Sequence, residues 1–155
     1  MYKVVGGCDC GNISYFIELP NDPASYNPRA CDCQFCSSHG ASYIADKKGS
    51  LVIRIKNETM LNRYRQGSKI ADFLICKNCD ALVGVCYEKQ GCIYGSVNIK
   101  TIHGSNGFGK SQVISPKQLT DLERVKHWKA FWFSNVKIEH ENAQQLKEKI
   151  QNDKR

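Results

Sequence analysis

The sequence predicts an antiparallel, mainly-β domain closed by one or two C-terminal helices. Three observations carry this. Short apolar segments alternate with Gly-bearing turns along most of the chain. The thiols fall into tight groups, Cys8/Cys10, Cys31/Cys33/Cys36 and Cys76/Cys79, suited to pinning loops with a metal. A helix-start signal stands late, at Thr120-Asp121-Leu122-Glu123. The 155 residues suffice for one domain with its own core. Its body is assigned to 1–135, with 136–155 a helical extension and polar tail.

Taken in order, Gly7 and Gly11 flank Cys8-Asp9-Cys10 and allow a tight turn around metal ligands. Ile13, Tyr15, Ile17 and Leu19 alternate with their neighbours, the pattern of a half-buried strand. The Pro- and Asn-rich residues 20–28 form a loop that delivers the three-cysteine group. Three hairpins follow: 41–45 with 51–55, 60–65 with 70–75 through Gln66-Gly67-Ser68, and 81–87 with 92–97 through Glu88 to Gly91. Residues 101–115, with His103, Phe108 and three glycines, read as an irregular loop near a site. The capping box then starts a helix to about Trp132, with Leu122, Val125, Trp128 or Lys129, and Trp132 on one side. A second helix is expected over 141–149, its apolar face formed by Ala143, Leu146 and Ile150, followed by a frayed tail.

Composition narrows the function classes. Lys and Arg number 22 against 15 Asp and Glu, a net charge of +7. The excess is spread rather than gathered in a stripe, which argues against a nucleic-acid footprint and suits an anionic small substrate. The N-terminal residues lack an apolar core long enough for export, and no segment approaches the roughly 20 apolar residues of a membrane span. Nine cysteines, an odd count in close spacings, argue against a disulfide framework. The expectation is a cytoplasmic protein, without a membrane partner, whose thiolates hold metal.

Cys76-Lys77-Asn78-Cys79 joins the end of one strand to the next, the geometry of a zinc knuckle, and it lacks the βαβ context of a redox CxxC. With Cys8 and Cys10 it makes a closed, structural four-thiolate site. Cys31, Cys33 and Cys36 make a second site with one position open, the arrangement of a catalytic zinc. The cofactor expectation is therefore two Zn²⁺ per chain. His39, then His103, are the candidates for a fourth ligand at the triad. Cys86 and Cys92, on apolar segments, are expected as buried free thiols. Trp128, Phe131, Trp132 and Phe133 are expected as core or as a lid. An open zinc position activates a thiol or water at neutral pH, and a thiolate placed against an aldehyde forms a hemithioacetal.

The ordered groups resemble the glutathione-dependent formaldehyde-activating enzyme family, which includes the centromere protein V-like proteins. The matching pieces are Gly6-Gly7-Cys8-Asp9-Cys10-Gly11 before a strand, CDCQFC at 31–36 with Gly40 after it, and Tyr64-Arg65-Gln66-Gly67. Phe73-Leu74-Ile75-Cys76-Lys77-Asn78-Cys79 and Tyr94-Gly95-Ser96-Val97-Asn98 complete them. The likeness covers roughly residues 1–100 well and the rest loosely. It implies a β-tent fold of small antiparallel sheets, a structural zinc on Cys8, Cys10, Cys76 and Cys79, and a catalytic zinc on Cys31, Cys33 and Cys36. It implies a carbon–sulfur lyase that condenses glutathione with formaldehyde. Two departures stand out. Asp80 replaces the usual Gly after the CxxC, and Asp tolerates left-handed backbone better than most residues. Ser37-Ser38-His39 replaces a commonly basic stretch.

Three functions compete. The first is a zinc-dependent carbon–sulfur lyase or synthase acting on a small thiol and a small aldehyde. The second is a non-catalytic zinc-stabilised binding module, and the third a thiol-based metal or redox sensor. The three-cysteine group favours the first, because a purely structural domain needs only the closed site.

Overall fold

A computed structural model describes residues 1–65, 69–104 and 107–140, with the side chain of residue 117 left aside. The second expected hairpin turn, Gln66-Gly67-Ser68, the expected helix over 141–149 and the polar tail lie outside the described residues. The chain is mainly β, as its sequence predicts, with strands in two sheets. No helix among the described residues is long and apolar enough to cross a membrane.

The smaller sheet contains β1 (Tyr2–Gly7), β2 (Ile13–Leu19), β5 (Ser50–Ile55) and β11 (Asn135–His140), in the order β1-β2-β5-β11. The alternation read from sequence appears directly in β2, where Ile13, Tyr15, Ile17 and Leu19 are buried and the residues between them are half-buried. The larger sheet contains β3 (Arg29–Cys31), β4 (Ser42–Ile44), β6 (Leu61–Tyr64), β7 (Asp72–Cys76), β8 (Leu82–Lys89), β9 (Cys92–Asn98) and β10 (Gln112–Ile114). Its order is β10-β3-β4-β9-β8-β7-β6. Among the described residues two α-helices accompany the sheets, α1 (Gln34–Ser38) and α2 (Asp121–Phe131).

Two of the three expected hairpins form. β6 pairs with β7, and β8 with β9 through Gln90 (φ 54°) and Gly91 (φ 80°), the left-handed pair that a two-residue turn demands. The first does not form. β4 pairs with β3 and β9, whereas β5 pairs with β2 and β11 in the other sheet. The link between them turns at Asp46, whose side chain accepts from the Lys48 amide (2.8 Å) and the Tyr26 hydroxyl (2.6 Å), sending the chain from one sheet to the other.

Two other expectations are corrected. The sheets are not purely antiparallel: β10 lies parallel to β3, and β11 parallel to β5. β10 arises inside the expected irregular loop. β11 falls within the expected extension, where Val136 and Ile138 pack against the core at strand spacing. The sheet therefore continues through residue 140.

The larger sheet is covered on both faces, so β8 is buried from Leu82 to Tyr87. Leu74 and Val83 join Ile13, Ile17, Leu51 and Ile53 in the core shared with the smaller sheet. Ile75, Leu82 and Val85 belong to a second cluster with Cys36 and Tyr43, against which Cys31, Cys33, Trp128 and Trp132 pack. The three-cysteine group thus sits away from the main core, beneath α2. The helix starts at its capping box as expected, with Glu123 N–H donating to Thr120 Oγ1 (3.2 Å) and Thr120 N–H to Glu123 Oε1 (3.0 Å). Its apolar side is narrower than the spacing suggests. Leu122 is exposed, and Trp128 and Trp132 make the contact.

Phe133 ties these parts together. It is fully buried in the main core, and its backbone exchanges two hydrogen bonds with Gly95 of β9 (2.9 and 3.1 Å) just before the chain enters β11. It is core, not lid.

Candidate metal centres

Cys8 and Cys10 are placed by a tight turn after β1, in which Cys8 N–H donates to Ile13 O (2.9 Å) and Gly11 N–H to Cys8 O (3.1 Å). Gly7 has φ 154°, and a Cβ there would run into the Ile13 carbonyl and the Ser14 backbone. Across from this turn, Cys76 ends β7 and Cys79 follows in the connection to β8. Asp80, with φ 61°, is in the left-handed conformation expected of it and donates its N–H to Cys76 O (2.8 Å). The turn that brings Cys76 and Cys79 together thus forms with Asp at this position.

The four sulfurs lie within 4.8 Å of one another, with Cys8 and Cys10 at 3.6 Å and Cys10 and Cys76 at 3.5 Å. Metal–sulfur bonds of about 2.3 Å in a tetrahedron place sulfurs about 3.8 Å apart, so the spacing fits one metal ion. The electrostatics point the same way. Burial pushes the Cys8 thiol up to about 12 and raises Cys76. A hydrogen bond from Asn78, with others from the backbone of Asn12 and from Cys76, brings Cys10 down to about 6. Such crowded sulfurs cannot all ionise unless a cation joins them. The Ile13 N–H aimed at Cys8 Sγ (3.2 Å) stabilises the thiolate form.

The three-cysteine centre is built from a strand end and a helix start. Cys31 closes β3, Cys33 is the N-cap of α1, and Cys36 lies within that helix, 1% exposed. The Cys33 sulfur caps the helix by accepting from Cys36 N–H (3.3 Å), which fixes their relative position. The three sulfurs also lie within 4.8 Å of one another. Hydrogen bonding to Cys36 holds Cys31 at about 6, and the same contact together with burial drives Cys36 upward. One thiolate among three close sulfurs again matches the donor set of a soft metal. Tyr43 Oη lies 3.4 Å from Cys36 Sγ; burial first, then the neighbouring thiols, raises the phenol.

The two centres differ in surroundings. Cys31, Cys33 and Cys36 line a cavity of about 550 Å³, while the four-cysteine centre does not. Trp128 and Trp132 stack on the cavity wall with ring centroids 4.8 Å apart. Arg29 and His127 line it too, and Arg29 Nη1 lies 2.8 Å from His127 Nε2. Arginine only donates, so that nitrogen accepts and the imidazole is neutral. Burial, then the Arg29 charge, lowers the His127 pKa.

All seven expected ligands are brought together in the expected two groups. The histidine candidates stay outside them among the described residues. His39 caps the end of α1 and holds Phe35 O through Nδ1 (2.9 Å), and His103 is exposed on a turn. Cys86 is a buried free thiol, raised by burial to about 12. Cys92 is free but exposed, because it pairs with Lys89 beside the Gln90-Gly91 turn, beyond the core. Trp128, Phe131 and Trp132 line the cavity. Sequence reasoning missed Arg29, Tyr43 and His127. The only signal was that Arg29 shares strand parity with Cys31.

No protein-family model matches this chain, and no curated protein matches it. Among solved structures it is similar to the crystal structure of a Rhodobacter sphaeroides protein, a structural-genomics target. Identity is 24%, over 64% of this chain and 88% of that one, with a TM-score of 0.47. A likeness at that level carries no argument about function.

Proposed function

We propose that this chain is a zinc-dependent carbon–sulfur lyase or synthase that joins glutathione or another small thiol to formaldehyde or another small aldehyde. Cys31, Cys33 and Cys36 would hold the catalytic zinc, and Cys8, Cys10, Cys76 and Cys79 the structural one. One observation carries the reading. Only three protein sulfurs gather at the cavity, leaving a tetrahedral position for a small ligand, whereas the four-sulfur centre is complete and lies off the cavity.

Zinc, when bound, lowers the pKa of a thiol or water that meets it. In the reaction the thiol sulfur bonds to the carbonyl carbon, the carbonyl π pair moves to oxygen, and the thiol proton ends on that oxygen. Nothing is oxidised or reduced. The chain's own contribution is positioning and exclusion of water. The Cys33 cap and the Tyr43 hydroxyl orient Cys36, and the stacked Trp128 and Trp132 make an apolar wall. The nine cysteines all carry free thiols, in keeping with a reducing compartment, for which we propose the cytoplasm.

The test mixes ¹³C-formaldehyde with glutathione and several smaller thiols, and follows the hydroxymethyl thioether by NMR against the uncatalysed rate. Acceleration that disappears in a folded Cys33→Ser variant is the expected result. No acceleration with any thiol would overturn the lyase reading in favour of a zinc-stabilised binding module. Rapid metal release on mild oxidation, without catalysis, would favour a thiol sensor.

A further inference from the structure

The cavity holds a cation whose charge has no ion-pair partner among the described residues. Arg29 is half-buried on β3, and its guanidinium lies 4.4 Å from the centre of the Phe131 ring while donating to neutral His127. Ion pairs among the described residues engage Arg54, Arg63, Arg65, Arg124 and His140, and none engages Arg29. Arg124 also lines the cavity, but it is tied to Pro116 O (2.8 Å) and to Asp121. A half-buried guanidinium with one acceptor and spare N–H groups is built to receive a flat, bidentate anion.

Position adds to this. Arg29 and Cys31 are two residues apart on one strand, so their side chains leave the same face, with Cα atoms about 7 Å apart. Both line the cavity. An anion on Arg29 would hold the far end of a ligand a few carbons long whose near end meets the three sulfurs.

We infer that Arg29, braced by His127 and Phe131, is a carboxylate-binding subsite of this cavity, so that one of the two substrates carries a carboxylate a few carbons from its reacting atom. This deepens the thiol–aldehyde reading and rests on it. The Phe131 face fixes the guanidinium plane, and His127 occupies one N–H edge, leaving the remaining edge for the ligand.

Binding is tested without turnover. Calorimetry on the metal-loaded protein compares 3-(methylthio)propionate with its methyl ester, neither of which has a free thiol. The acid is expected to bind at least tenfold more tightly than the ester, and Arg29→Gln to abolish the difference. Equal affinities in the unmodified protein, or a preference kept in folded Arg29→Gln, would overturn the subsite. The source of the carboxylate is then read by NMR rates. One arm compares 3-mercaptopropionate with 2-mercaptoethanol on formaldehyde, and the other compares 4-oxobutanoate with butanal on 2-mercaptoethanol. Lower KM for the acid in the first arm assigns the carboxylate to the thiol, and in the second to the aldehyde. Turnover with no acid preference in either arm overturns this inference alone. An acid preference in calorimetry with no acceleration overturns the proposed reaction and leaves the subsite standing.

Discussion

Removing one thiol from each centre separates the mechanical burdens of the two. Cys10 and Cys76 meet from positions 66 residues apart, on segments that lead from different sheets. The three-cysteine centre spans only Cys31 to Cys36. A cross-link restricts the unfolded chain according to the loop that it closes. The chain-entropy relation gives about 4 kcal/mol for a 66-residue loop and about 2 kcal/mol for a five-residue one. Domains of this size are stable by about 5–15 kcal/mol, so the first loss is a large share and the second is not. In urea unfolding of metal-loaded protein followed by circular dichroism, Cys76→Ser is expected to lose about 4 kcal/mol or fail to fold. Cys33→Ser is expected to lose about 2 kcal/mol or less and remain folded. Elemental analysis should find one metal equivalent fewer in the folded variant. Equal destabilisation by the two substitutions, or a larger loss from Cys33→Ser, would refute the division into a structural and a functional centre.

Three further outcomes are expected. Phe133→Ala should cost about 3–5 kcal/mol in the same unfolding assay, since its fully buried ring is removed from the junction of the sheets; a loss under about 1 kcal/mol would mean the junction does not depend on it. Gly7→Ala places a Cβ against the Ile13 backbone at a φ of 154°, so the variant should retain less metal at the four-cysteine centre by elemental analysis; full retention would discount the tight turn. His127 should titrate below 6.5 by NMR, because burial and then the Arg29 charge lower its pKa. With a depressed folded-state value, its contribution to stability is whole above pH 6.5 and is lost as pH falls through that value. A midpoint at or above 6.5 would contradict the neutral acceptor assigned to it.

What the sequence disclosed was local in origin. Ile13 to Leu19 alternate because a strand between core and solvent must. Thr120 and Glu123 mark a helix start because their side chains can satisfy its free amides within four residues. Ligand groups were legible because thiolates for one metal must be close, and two short spacings bring them close. Strand partners were not legible. Ser42–Ile44 and Ser50–Ile55 are near in sequence and apolar, and a turn at Asp46 nonetheless separates them into different sheets. The parallel additions of β10 and β11 depend on strand partners far away in the chain. The same distance hid Arg29 and His127, which meet 98 positions apart, and left His39 looking like a ligand when its local role is to end α1.

The parallel pairing of β11 with β5 also sets an order of events at the ribosome. Glu139 follows its partner Arg54 by 85 positions, which synthesis at about 5–20 residues per second covers in about 4–17 s. Through that interval β2 can zip onto one side of β5 while the other side remains an open template for a neighbouring nascent chain. Arg54 lies on this strand, its side chain 62% exposed on the outer face of the sheet. A charge at an open edge discourages the wrong strand from docking. In the finished protein the same arginine pairs with Glu139 at 3.1 Å, so the guard of the unfinished sheet becomes a clasp on the strand that completes it.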